Sequence, residues 1–327
     1  MSAAEGLPPG ARALITGVTG QDGSFLAEEL LGEGYEVFGL TRRDPSTDLG
    51  CSEPLRDRLA LLQGDVLDPS TQARITELAP AEIYHLAAPT FVPDSWRDPA
   101  GTMAAIYGSA AALLALVAER LPGTRVFVAA SGEMFGEATT SPQSEDTLCR
   151  PRTPYASAKL AAHELVGQLR AHHRLFAVSG ILYNHESERR PDRFVTRKIT
   201  RGAAAIALGR RRTLTLGDMT AVRDWSFAGD VLHGVHLALR HETPRDYIFA
   251  SGVGHTVEEF VRVAFAHLGL DPAGHVEIDP SLVRAPESVA PVGDPARARE
   301  ALGWVPTHDF VQLVARMVDA DVAELSA

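Results

Sequence analysis

Cysteine is scarce: Cys51 and Cys149 are the only two in 327 residues. Two thiols cannot build a disulfide framework, and they match no zinc spacing. Positive charge is also short, with 31 Lys and Arg against 42 Asp and Glu, a net charge of −11. So acidic a chain is a poor general binder of nucleic acid or anionic membrane, whose phosphates reward clustered cations. Long apolar runs are lacking; none reaches the roughly 18 residues expected of a membrane span. Met1 to Arg12 shows no basic start followed by an apolar stretch, so no secretory signal is expected and a cytoplasmic location is. What is present is ordinary: 45% hydrophobic and 22% charged residues, too apolar for disorder and long enough for a sizeable core.

Short apolar runs alternate with helical patterns through the first half of the chain. Strands are expected at Ala13–Gly17, Tyr35–Leu40, Leu59–Leu62, Glu82–Ala87, Arg125–Ala130 and Phe176–Tyr183. Helices are expected at Ser24–Gly32, Ala104–Leu121 and Tyr155–His172, where apolar residues recur at three-to-four spacing. This alternation predicts an α/β fold, a Rossmann-type doubly wound parallel sheet covered on both faces. Beyond Tyr183 the rhythm changes to arginine-rich loops, short strand-like pieces near Arg212–Leu216, and helices near Arg197–Leu208, Val257–Leu268 and Ala296–Gly303. The expected organisation is a dinucleotide-binding domain over residues 1–183 and a smaller mixed α/β substrate lobe over 184–327. Segments near 230–250 are candidates to return to the first domain.

Thr16-Gly17-Val18-Thr19-Gly20-Gln21-Asp22-Gly23 stands between the first strand and the first helix. In its G-x-x-G-x-x-G spacing, Gly17 suits the tight turn, Gly20 the approach of a pyrophosphate, and Gly23 close helix packing. The helix N-terminus behind it offers unpaired N–H groups to an anion. The second strand ends at Leu40-Thr41-Arg42-Arg43, without the acidic residue that holds an unphosphorylated ribose. Arg42 and Arg43 suit a 2′-phosphate, which favours NADP over NAD; solvated surface arginines are the alternative. Asp65, after the third strand, is placed to accept from an adenine amine.

Tyr155 and Lys159 lie four residues apart, on one face of a helix. An ammonium near a phenol is expected to lower its pKa, making Tyr155 a general base for a sugar or alcohol hydroxyl. Ser131, at the end of an apolar strand, can hold the same hydroxyl. The histidines are scattered without metal spacing, so no metal site is expected; His163, His233 and His236 read as helix-face or packing residues.

The glycine turn, Ser131 and the Tyr155/Lys159 pair together resemble the extended short-chain dehydrogenase/reductase superfamily. More narrowly, the chain resembles the GDP-mannose 4,6-dehydratases over nearly its whole length. The matching stretches are Thr16–Ser24, Ser131-Gly132-Glu133-Met134-Phe135-Gly136, Tyr155–Lys159, Asn184-His185-Glu186-Ser187, Phe194-Val195-Thr196-Arg197-Lys198-Ile199-Thr200, Arg223-Asp224-Trp225 and Gly293-Asp294-Pro295. The Asn-His-Glu-Ser and Phe-Val-Thr-Arg-Lys-Ile-Thr stretches are the specific part.

The resemblance implies that Tyr155 removes the C4 hydroxyl proton while hydride leaves for the nicotinamide. Glu133 then takes the C5 proton as water leaves C6, and the hydride returns to C6. It further implies that Thr19, Gln21, Asp22, Val66, Leu86, Ala87, Ala88, His185 and Arg190 line the cofactor, with Arg189 also in the family pattern. Thr90, Asn184, Lys198, Arg223 and Arg284 would hold the sugar nucleotide, expected to be GDP-linked, in a homodimer or homotetramer. Several positions depart from the pattern: Gly132, His85, the Pro89–Val92 segment, Asp218, Pro191 and a shortened loop from Arg43 to Gly64. An epimerase or reductase of a related nucleotide sugar is the alternative enzyme, and a non-catalytic dinucleotide-binding protein the alternative of another class.

Overall fold

The computed structural model describes residues 10–282 and 289–327. In chain order the elements are β1 (Arg12–Thr16), α1 (Gln21–Gly32), β2 (Glu36–Thr41), β3 (Ala60–Gln63), α2 (Pro69–Leu78), β4 (Glu82–His85), α3 (Pro99–Met103), α4 (Ser109–Arg120), β5 (Arg125–Ser131), α5 (Pro154–His173) and β6 (Ala177–Leu182). They continue with β7 (Asn184–Glu186), α6 (Val195–Ala207), β8 (Leu214–Leu216), β9 (Val222–Phe227), α7 (Ala228–Arg240), β10 (Tyr247–Phe249), β11 (Gly254–Thr256), α8 (Val257–His267), β12 (Val276–Ile278), α9 (Ala296–Leu302) and α10 (Phe310–Ser326).

Seven strands form the central sheet in the order β10-β6-β5-β4-β1-β2-β3, every neighbouring pair parallel. The order reverses between β1 and β4, so the crevice beyond their C-terminal ends is where such a sheet takes its ligand. One face packs on α1 and α7 through Leu26, Leu30, Val231 and Val235. The other packs on α2, α4 and α5 through Ile75, Leu113, Val117, Ala162 and Val166. This is the doubly wound sheet expected from the alternation. A separate apolar core joins α6, α8, α10, β8 and β9 around Trp225 and Phe260. There β9 pairs with β7 in parallel and with β11 in antiparallel fashion, and β8 pairs with β12.

Several elements differ from the sequence expectation, and three helices show why. Helix α2 is absent from it, because only Thr71 and Ile75 of its ten residues are buried and the apolar stripe is faint. Helix α10 is absent from it too, although it carries a clear stripe of Leu313, Val314, Met317 and Val318. The helix expected at Ala104–Leu121 starts earlier, at Pro99, capped by Asp98 Oδ1 accepting from Gly101 N at 2.8 Å, and widens to a π turn over Ala104–Gly108.

That same helix bears on the membrane expectation. Pro99–Arg120 spans 22 residues and contains an 18-residue window of mean hydropathy 1.7, long and apolar enough to cross a bilayer by length and composition. Its Leu113, Leu114 and Val117 are instead buried against the central sheet. Alanine and glycine between its larger apolar residues hide its length from a search for unbroken apolar runs.

Candidate active site

The glycine turn closes as its spacing demands. Gly17 has φ +75°, a left-handed conformation costly for other residues, and a Cβ there would sit 2.9 Å from the Ala87 backbone. A Cβ on Gly23 would sit 2.4 Å from Gly17 O, so only glycine lets α1 start this close to β1. Gly20 caps α1 in extended geometry with no side-chain cap, leaving its first-turn N–H groups without a capping side chain. The turn is buttressed from behind: Ser52 Oγ donates to Val18 O at 2.7 Å, and Cys51 N to Thr19 O at 3.1 Å. An uncapped helix start behind a glycine turn, at the switch point of a parallel sheet, fits a dinucleotide diphosphate.

At the rim, Arg42 and Arg43 follow β2 with side chains 77% and 62% exposed. Arg42 Nη1 lies 3.7 Å from Asp65 Oδ2 and Arg43 Nη1 3.6 Å from Asp48 Oδ2. Val66 is buried beside them. Past β4, Ala87 N donates to Thr16 Oγ1 at 3.1 Å and Leu86 N to Thr16 O at 3.3 Å, which brings Leu86–Ala88 against the turn. His85 is buried between Thr16 Oγ1 (2.9 Å) and Ser109 Oγ (3.0 Å), and burial followed by the Lys159 charge drops it to about 3. It is therefore a neutral spacer between the turn and the π turn of the neighbouring helix.

Helix α5 delivers the reactive pair. Thr153 accepts from Ala156 N at 3.0 Å and Pro154 occupies the first turn, so α5 begins one residue before Tyr155. Ser131, at the end of β5, and the charge of Glu133 both act on Tyr155. Ser131 Oγ accepts from Glu133 N at 3.3 Å, which starts the turn that leaves Glu133 exposed. Gly132 between them leaves room for Tyr183, whose ring would lie 3.1 Å from a Cβ.

The expectation that Lys159 lowers the Tyr155 pKa is corrected. Burial pushes the phenol up to about 12; the Ser131 hydrogen bond pulls it down, and the Glu133 charge pushes it up. Lys159 Nζ lies 5.9 Å from the ring centroid and donates to Ala129 O at 2.6 Å. Its own burial brings it down to about 8. Helical spacing puts the two side chains on one face, but a backbone carbonyl takes the ammonium.

The Asn184–Ser187 strand is pinned to the first turn of α1. Gln21 Nε2 donates to His185 O at 3.2 Å, and Ser187 Oγ donates to Gln21 Oε1 at 2.8 Å. Asp22 Oδ2 lies 3.0 Å from His185 Nε2. Burial alone would raise Asp22, but the charge and hydrogen bond of His185 outweigh it and hold the carboxyl far below its usual range. For His185 burial lowers and Asp22 raises, with a net rise. Arg190 is held by the buried Glu186 at 3.1 Å and stacks over Phe194 at 3.7 Å, and its charge reaches both Tyr155 and Asp22. Glu186 and Phe194 carry this positioning. Both lie in the matched stretches, and a glutamate inside a short strand is the available signal. Arg189 turns away to Ser24 Oγ (2.8 Å), Glu28 (2.7 Å) and the Phe25 ring.

The remaining positions lie on separate elements. Thr90 is exposed, and Asn184, Lys198 and Arg223 are half-buried on β7, α6 and β9. Phe91 meets Phe194 edge-on at 5.6 Å, with Arg193 over Phe91 at 4.7 Å. Arg284 lies outside the described residues.

A sequence model of the family described as GDP-mannose 4,6 dehydratase matches residues 14–317. The chain belongs to this family. It is 44% identical over 323 residues to GDP-mannose 4,6 dehydratase 2 of Arabidopsis thaliana, covering 95% of this chain and 86% of the relative. Among solved structures, RMD from Pseudomonas aeruginosa complexed with NADPH superposes with TM-score 0.81 at 24% identity, over 96% of this chain and 99% of the other. The dTDP-glucose 4,6-dehydratase of Bacillus anthracis in complex with NAD does so with TM-score 0.82 at 18% identity, over 95% and 96%. These two likenesses concern the fold. The family's sheet, its glycine turn and its Tyr-x-x-x-Lys helix are all present in this chain, so a nicotinamide dinucleotide is the cofactor class of the site.

Proposed function

We propose that this chain dehydrates GDP-mannose to its 4-keto-6-deoxy product, with Ser131, Glu133, Tyr155 and Lys159 as the working side chains. The observation that carries the reading is the meeting of Tyr155, Ser131 and Glu133 at the end of β5, with only β4 between it and the strand that leads into the glycine turn. Relatives named for this activity support the substrate.

Tyr155 would take the C4 hydroxyl proton as its phenolate, a form that nearby positive charge, from Lys159 and from an oxidised nicotinamide ring, would favour over the protonated phenol of the free protein. Lys159 lends its positive charge from the same helix face. When bound, the dinucleotide supplies the acceptor for the C4 hydride, its donor for C6, and the positive charge of an oxidised ring. The resulting ketone acidifies C5–H; Glu133 would remove that proton and deliver it to the C6 hydroxyl, which leaves as water, and C5 would take a proton back as C6 receives hydride. A simple epimerase has no use for this second base. Asn184, Lys198, Arg223 and Arg284 are proposed to hold the nucleotide and sugar, where guanidinium groups suit a diphosphate. Gln21, Asp22 and His185 act by fixing the cleft wall, and Arg190 by placing its charge near Tyr155. NADP is the proposed cofactor, from Arg42 and Arg43 standing beyond β2. The same reading proposes a cytoplasmic homodimer or homotetramer, supported by the two unpaired cysteines and by the family likeness.

The test is incubation with GDP-mannose and NADP, reading product mass for loss of water. Glu133→Gln keeps the shape but cannot take the C5 proton. It is expected to oxidise C4 and accumulate reduced cofactor, with dehydration slowed about 100- to 10,000-fold. Dehydration at the normal rate in that variant would overturn the role of Glu133, and no loss of water in the unaltered protein would overturn the function.

A further inference from the structure

Between the glycine turn and the helix that carries Tyr155 lies a buried imidazole to which the reaction assigns no step. His85 ends β4, is 4% exposed, and lies 2.9 Å from Thr16 Oγ1 through Nδ1 and 3.0 Å from Ser109 Oγ through Nε2. Burial, then the charge of Lys159, drops its pKa to about 3, so the ring is neutral.

Its two hydrogen bonds have one direction. Ser109 N, which in an α-helix would pair with Ala105 O, reaches Ala104 O and Ile106 O instead, as a π turn requires. The Ser109 hydroxyl fills the bypassed carbonyl, donating to Ala105 O at 2.6 Å. With its proton there, Ser109 Oγ can only accept from His85 Nε2. On the other side Thr16 Oγ1 already accepts from Ala87 N at 3.1 Å, so its own proton goes to His85 Nδ1. A hydrogen on Nε2 thus pairs every proton along the chain from Thr16 through His85 and Ser109 to Ala105 O. The opposite tautomer would take the Ser109 hydroxyl from Ala105 O and leave the Thr16 proton without an acceptor in this chain.

The far end of that chain is the seat of Tyr155. Ile106, in the middle of the π turn and 3% exposed, packs in one buried cluster with Tyr155 and Ala158 of α5. Ala88 and Val92, from the segment after β4, pack against the same cluster. A π turn inserts one residue into a helix, so its place in the sequence decides which side chain meets α5. A shift by one position would swing Ile106 roughly 100° around the helix, away from Tyr155.

We propose that His85 is a positioning residue for the proton transfer: through Ser109 it fixes the register of the π turn, and with it the placement of Ile106 against Tyr155. It acts through its neighbours and exchanges no proton with the sugar. The inference rests on the reading of Tyr155 as the group that takes the C4 proton.

Two measurements on the full chain test it. In nitrogen NMR with isotope-labelled histidine, the His85 ring, identified by its loss in His85→Gln, should carry its hydrogen on Nε2 and keep that form from neutral to mildly acidic pH. Hydrogen on Nδ1, or protonation of the ring in that range, would overturn the proposal, and this measurement needs no substrate. In kinetics, Ser109→Ala removes one oxygen and should lower kcat on GDP-mannose at least about tenfold, the order of loss that a small misplacement of a reacting group brings. KM and the dinucleotide Kd should stay as in the unaltered chain. His85→Gln, whose amide N–H still reaches Ser109, should keep most of kcat; His85→Asn, too short for Ser109, should match Ser109→Ala. An unaltered kcat in Ser109→Ala, a loss confined to KM or Kd, or equal rates for His85→Gln and His85→Asn would each overturn the proposal. An unaltered chain that removes no water from GDP-mannose would overturn the function instead, and the NMR result then decides the part of His85.

Discussion

Tyr155 and Lys159 show how a side chain's chemistry is set by what else it can bond. Alone, the spacing implies an ammonium lowering a phenol; with Ala129 O taking the ammonium, burial wins and the phenol rises to about 12. The lysine is shifted in the opposite sense, falling to about 8. Lys159 is thus a cation below pH about 8 and neutral above it. If its charge serves the dinucleotide, cofactor affinity of the free protein should be level below that value. It should then fall up to about tenfold per pH unit above it. Isothermal titration across this range checks the limb, and Lys159→Met should abolish it. An affinity that stays flat well above this pKa in the unaltered protein would count against a bound role for the charge.

At the level of elements, α6 and α10 show a connection that composition hides. Arg197 lies in the stretch matched to the family, yet its Nε faces Asp321 Oδ1 at 2.8 Å, in a buried pair that joins α6 to α10. Thr200 Oγ1 donates to the other oxygen at 2.6 Å, and Arg197 also reaches Glu324 at 2.9 Å. Removing one partner of a buried pair costs about 3–5 kcal/mol, because the other charge is stranded. Asp321→Ala should therefore lower stability by about 3 kcal/mol, the low end, since Glu324 still faces the guanidinium. Urea unfolding reads this as a lower midpoint with an unchanged slope. Asp321→Asn keeps an acceptor for Thr200 and should cost less.

Across the whole molecule, the C-terminal half is tied back to the first. Strand β10 adds to the edge of the central sheet beside β6, and α7 packs on α1. Asp224 in β9 gathers Ser251 N (2.8 Å), Gly252 N (3.0 Å) and Gly293 N (3.2 Å), joining distant loops in one carboxylate. A ligand that binds only the folded state stabilises it by RT ln(1 + [L]/Kd), about 2.7 kcal/mol at one hundred times Kd. NADP should consequently raise Tm more than NAD at equal concentration. Replacing Arg42 and Arg43 with Ala should remove the difference, as both side chains project into solvent and carry little of the fold. A larger rise with NAD in the unaltered protein would reverse the cofactor proposal.

The sequence by itself determined the parallel sheet, because apolar strands alternating with helices can bury both faces in few other ways. It determined the glycine turn, since Gly17 and Gly23 occupy positions where a Cβ meets backbone. It also made Tyr155, Lys159, Ser131 and Glu133 legible as a set, through local spacing and family likeness. Tertiary structure decided what local pattern cannot encode: that Lys159 donates to Ala129 O, that Glu186 and Phe194 place Arg190, and that Asp22 locks His185. It also decided that α1 and α7 bring Glu29 and His236 within 3.0 Å. Each of these depends on partners distant in the chain or on burial. Their energies follow from which acceptor lies nearest and how much water is excluded, quantities that exist only once the chain is packed.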